Sequence, residues 1–137
     1  MTNFPADEKK FDKAATAYRS AYVNNMSGFE VVVELYKGIL KNVERAKHAY
    51  ESGKLDEMCN HIQKTNKILV VLQSHLDFEQ GGDAAVFLNE FYNGLFASLA
   101  QILRKPDPGK EFDYILNQIK PVYEIWCKHA ENTLRKD

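Results

Sequence analysis

Four histidines, two cysteines and nineteen carboxylates are the side chains of this chain with the widest chemical reach. His48, His61, His75 and His129 could in principle bind a metal or move protons, so their spacing is the first test. A helical zinc site wants His-x-x-x-His or Cys-x-x-Cys, and a di-iron bundle wants Glu-x-x-His on each of two helices. None of these spacings occurs. Gly81-Gly82 lacks the further glycines and the following Lys of a phosphate-cradling loop, and no Gly-x-Ser-x-Gly elbow is present. Asp56 and Glu57 read as helix-start charges that favour the dipole. The sequence therefore offers no catalytic residue, no metal ligand and no cofactor site.

One spacing stands apart. His61-Ile62-Gln63-Lys64 puts a Lys three residues after a His, and histidine phosphotransfer domains resemble this arrangement on a bundle helix. Such domains carry a small residue after that Lys, whereas Thr65 follows here and falls on an apolar seam. A single His-x-x-Lys is weakly specific. A signalling role through His61 is kept as the alternative function.

Composition narrows the classes further. The chain has 137 residues, 45% of them hydrophobic and 27% charged, a globular balance that suits one domain. A chain of this size buries roughly 65–70% of its unfolded surface, enough to fold without staples. The net charge of -1 lacks the basic excess of a nucleic-acid binder. Asp7, Glu8, Lys9 and Lys10 stand where a signal peptide needs an apolar stretch, and no run reaches the ~20 apolar residues of a membrane span. A cytosolic protein is expected, with Cys59 and Cys127 as buried or half-buried free thiols.

The elements follow from periodicity. Prolines fall only at 5, 106, 108 and 121, which leaves long stretches free to be helical. The first helix, 27–52, starts at Ser27 with Glu30 as capping partner, buries Val32, Leu35, Tyr36, Ile39, Val43, Ala46 and Tyr50, and stops at Gly53. The second, 54–77, steps three and four residues through Leu55, Met58, Ile62, Thr65, Leu69, Leu72 and Leu76. The third, 83–104, begins at Asp83 after Gly81-Gly82 and carries Ala84, Leu88, Phe91, Leu95 and Ile102. Phe87, Tyr92, Phe96, Leu99 and Leu103 widen that stripe beyond one core face. The fourth, 109–133, uses Phe112, Ile115, Ile119, Val122, Trp126 and Ala130, with a bend expected at Pro121. Residues 1–13 are expected to be disordered, and 14–23 to form a short helical piece. The predicted fold is all-α, an antiparallel four-helix bundle with a short N-terminal helical segment.

Surplus apolar surface is the informative feature. Ile68-Leu69-Val70-Val71-Leu72 is unbroken, although the seam alone satisfies a bundle core. A helix apolar on most sides is central in its fold or covered by something else. Periodicity leaves open whether residues 14–23 cover it permanently or act as a movable lid over a groove.

From about Ala15 to Ala130 the chain resembles the FliS family of flagellin export chaperones. The resemblance rests on Ala17-Tyr18, Val23-Asn24 and Ser27, on Leu35-Tyr36-Lys37-Gly38, and on Arg45-Ala46 before Gly53. Its strongest part is the turn Leu76-Asp77-Phe78-Glu79-Gln80-Gly81-Gly82-Asp83-Ala84-Ala85, followed by Leu88, Phe91-Tyr92-Asn93 and Trp126. Gly28, Gly94, Ala97 and Ser98 depart from the family pattern. The resemblance implies a cytosolic chaperone without catalysis, cofactor or metal. Its partner would be the C-terminal segment of flagellin, with an export-gate component as a further partner to test. It also implies a lid bearing Tyr18, Tyr22 and Val23. The apolar facets themselves point to Ile68, Val71, Leu72 and Leu76 as the groove.

Overall fold

The computed structural model describes residues 28–135, with side chains as far as residue 132. They form four helices: α1 (Gly28–Glu51), α2 (Leu55–Ser74), α3 (Phe78–Ala100) and α4 (Pro108–Arg135), with a 3-10 turn at Ile102–Arg104. Short connections reverse the chain each time, so neighbours run antiparallel. Ser27 and the 14–23 segment lie outside the described residues.

α1 is the spine of the bundle. It packs along both α2 and α4, and this contact buries Leu35, Tyr36, Ile39, Val43 and Ala46 almost completely. α1 ends as its sequence requires: Gly53 takes φ +74, its N–H donates to the Tyr50 carbonyl at 3.0 Å, and Lys54 N–H reaches Ala49 O at 2.8 Å. That is the paired bonding of a Schellman stop, which needs a left-handed residue and so favours glycine.

The α1–α2 seam is close because Gly38 has no side chain. A Cβ at Gly38 would come 2.9 Å from Ile68 Cδ1. α2 otherwise follows its seam, with Met58, Thr65, Leu69 and Leu72 buried, Ile62 and Leu76 half-buried, and Leu55 exposed. Thr65 is fully buried without penalty because its hydroxyl donates to the His61 carbonyl at 3.0 Å.

α3 opens with a short turn ahead of the helix expected from Asp83. Asp77 is its N-cap, and Asp77 Oδ1 accepts from the backbone N–H of Glu79 and Gln80, both at 3.0 Å. The backbone then kinks at Gly82 (φ 50, ψ -127), which separates the first turn from the rest. α3 inserts Ala85, Tyr92, Leu95 and Leu99 into the core. It meets α2 over a short seam, where Gln73 Nε2 donates to Asn89 Oδ1 (3.0 Å) and Asn93 Oδ1 (2.7 Å), and it scarcely approaches α4. α4 runs through Pro121 as one continuous helix.

Deep in the core the hydroxyls of Tyr36 and Tyr92 lie 2.8 Å apart, tying α1 to α3. Burial pushes the Tyr36 hydroxyl above its ordinary 10.0, and the bond to Tyr92 offsets only part of that. Tyr36→Phe removes this bond, so urea unfolding should show a loss of about 0.5–1.5 kcal/mol with helix content unchanged. The pH dependence has a definite sign. Above pH 10 the unfolded chain releases the Tyr36 proton while the folded chain holds it, so wild-type stability should fall there. Tyr36→Phe should make that decline shallower.

Candidate functional site

Where α3 diverges from α4, the bundle holds a pocket of about 240 Å³. It lies at the end of the bundle where α1 begins. α1 supplies Val32, α2 supplies Leu72, the turn after α2 supplies His75, Leu76 and Asp77, and α4 supplies Trp126. The α3 wall is Gly81, Ala84, Ala85, Leu88 and Tyr92. Small residues near the kink make room. A Cβ at Gly81 would sit 2.9 Å from Ala85 Cβ, so any larger residue would push the turn out of shape.

The polar members of the lining are occupied locally. Asp77 caps α3. His75 Nδ1 lies 2.9 Å from the Val71 carbonyl, which requires that nitrogen to carry the proton and donate. Trp126 belongs to an aromatic group at the slot's edge. Its ring is 6.2 Å from Tyr36 and 5.9 Å from Phe29, and Phe29 stacks on His129 at 5.3 Å. Leu76, Leu88, Val122 and Trp126 are half-buried against the core, open on one side. Such a lining binds apolar side chains by excluding water and has little to offer a charged ligand.

The structure distributes the expected groove residues unevenly. Leu72 and Leu76 both border the pocket. Ile68 is 7% exposed and is sealed against Gly38 of α1, so the bundle's own interior uses it. Val71 is half-buried and absent from the pocket lining; the exposed member of that run is Val70. Tyr18, Tyr22 and Val23 lie outside the described residues. Val32, Ala84, Leu88, Tyr92 and Trp126 were not in the expected set, because a stripe shows that a residue is apolar but not which neighbour fails to cover it. The width of the α3 stripe was the signal that pointed toward them.

The remaining chemical candidates have structural roles. His61 Nδ1 lies 3.0 Å from Asn42 Oδ1, and Asn42 Nδ2 donates to Gly38 O at 2.8 Å, so the ring latches α2 to α1. Among the described residues no group of His, Cys, Asp and Glu gathers as a metal site. Both cysteines are free thiols; Cys127 is half-buried, but Cys59 is exposed, against the expectation of burial, because it lies off the α2 seam. No described helix is long and apolar enough to cross a membrane.

The described residues thus form an all-α bundle with an apolar slot at one end. Comparison with known proteins specifies it further. The family model for "Flagellar protein FliS" matches residues 11–133. A flagellar secretion chaperone FliS of Campylobacter jejuni is 30% identical over 119 residues, covering 82% of this chain and 91% of that protein. One from Vibrio cholerae is 25% identical over 114 residues, covering 80% and 83%. The chain belongs to the FliS family, whose members are chaperones rather than enzymes.

The slot's shape depends on Gly82, whose φ of 50 with ψ of -127 is a conformation L side chains rarely adopt. Gly82→Ala should lower the stability measured by thermal or urea unfolding by about 1–3 kcal/mol, although space for the methyl is open.

Proposed function

We propose that this protein is a cytosolic flagellar secretion chaperone that holds the C-terminal segment of flagellin until export. The observation that carries the reading is the apolar slot between α3 and α4, framed by Leu76, Leu88 and Trp126. An export client's tail that is disordered when unpolymerised has an apolar stripe that otherwise seeks its own kind. A preformed apolar slot competes for that stripe and suppresses premature assembly. Ordering such a tail costs about 2–5 kcal/mol, so the slot serves as an anchor within a larger interface.

Residues 14–23, with Tyr18, Tyr22 and Val23, act in this reading as a lid over the same slot. The chain enters α1 at Gly28, and Phe29 already touches the Trp126 wall. A covering lid reduces exposed apolar surface in the empty chaperone and lowers client affinity by the fraction of time it is closed. Leu72 and Leu76 are the groove residues this reading keeps; Ile68 and Val71 serve the fold.

Calorimetry with a peptide of the last ~40 residues of the host's flagellin tests the reading. Binding should show a strongly negative heat-capacity change. Absence of any binding heat across temperatures, with the chaperone folded, would overturn the assignment. Ala84 is exposed at the slot wall, so Ala84→Leu should fill the space and weaken tail binding about tenfold, or about 1.4 kcal/mol. Its thermal unfolding should be unchanged or slightly raised.

A further inference from the structure

The outer side of α3 repeats the arrangement of its inner side. Its buried seam is Ala85, Leu88, Tyr92, Leu95 and Leu99, at steps of three and four. Displaced by one residue, and so turned by about 100°, runs Ala84, Phe87, Phe91, Gly94 and Ser98, with the same steps. A repeat of three and four residues is the pattern by which one helix seats another. Phe91 and Ser98 of this second row are half-buried, but Phe87 is 57% exposed and a Cβ at Gly94 would meet no atom within 4 Å.

The row has relief as well as exposure. Phe87 and Phe91 lie parallel, their rings 6.1 Å apart and 3° from coplanar orientation, and form a rigid aromatic step. Beyond them Gly94 and Ser98 leave a shallow stretch where a second backbone can come close. Phe78 and Val86, both about half exposed, extend the apolar area toward the start of the helix.

Charge indicates what fits there. Between Lys67 and Arg104 the chain has no Lys and no Arg, but it has Asp77, Glu79, Asp83 and Glu90. Asp83 and Glu90 each immediately precede a member of the row, Ala84 and Phe91, so both stand along one edge of it, exposed. In paired helices such flanking positions select the partner by charge. A second copy of this chain would bring the same carboxylates against each other, which is unfavourable.

We propose that the outer row of α3 is a docking surface for a helix of a partner protein whose apolar stripe is flanked by Lys and Arg. The row borders the slot at Ala84 but does not pass through it, so this partner binds beside the client, and the proposal stands apart from the flagellin reading.

The test uses the full-length protein and two synthetic helical peptides of about three heptads. Both carry a Leu stripe, one flanked by Lys and one by Glu, and binding is read by fluorescence anisotropy at physiological ionic strength. Wild type should bind the Lys-flanked peptide about tenfold more tightly than its twin. Asp83→Lys with Glu90→Lys should reverse the order. Phe87→Ser with Gly94→Glu should remove binding of the Lys-flanked peptide while helix content and flagellin-tail binding persist. Equal binding of the two peptides by wild type, or undiminished binding by the Phe87→Ser, Gly94→Glu variant, overturns the proposal. So does a wild-type dimer that this variant dissolves in sedimentation, which assigns the row to a second copy. Faster proteolysis of residues 1–27 in the variant also overturns it, by assigning the row to the chain's own N-terminal segment.

Discussion

How closely α1 can approach α2 sets the arrangement of everything else. Gly38 lets Ile68 lie against the α1 backbone, and Asn42 and His61 lock the register one turn further along. With the α2 flank fixed, α1 turns the rest of its apolar surface toward α4, where Tyr50 meets Phe112 at 6.3 Å and Lys47 pairs with Asp113 at 2.7 Å. The ion pair lies at the surface and contributes little; the buried apolar contact is what holds the three helices together. α1, with α2 and α4 on its two sides, thus forms one packed unit.

α3 is attached to that unit differently. It contributes Tyr92, Leu95 and Leu99 to the core, while the Tyr36–Tyr92 bond and the amide contacts of Gln73 orient it. Amide hydrogen bonds of this kind specify geometry at modest net energy, since water satisfies the same groups in the unfolded chain. The consequence is a helix that stays in place yet leaves its far side and its gap from α4 uncovered. Tighter closure of α3 on α4 would bury Leu88 and Trp126 and add stability, but it would close the slot. Stability is forgone where binding needs an opening.

Much of the fold was legible in order along the chain. The α1 pattern named its buried face from Val32 to Ala46, missing Val31 and Ala49, and Gly53 marked its end, because a 3.6-residue period and a left-handed stop are local properties. The α2 seam was read equally well at Met58, Thr65, Leu69 and Leu72. The break at Gly81-Gly82 was legible too, since the backbone leaves helical geometry at Gly82 just before Asp83; the short turn ahead of it, capped by Asp77, was not, because nothing in its pattern separates it from the end of α2. Ile68 was read as surplus because its partner is the absence of a side chain at Gly38, thirty residues earlier, which no pattern within α2 can reveal.

The sequence by itself determined four amphipathic helices, the turns between them, the lack of any spacing suited to catalysis or metal binding, and an excess of apolar residues in the second and third helices. Those are consequences of period, propensity and local stops, which act over a few residues. Only the tertiary structure decided which of the excess is used inside and which is left open. That depends on distances between helix axes, and these are fixed by pairs such as Gly38 with Ile68 and Tyr36 with Tyr92, far apart in the chain and in contact only once it has folded.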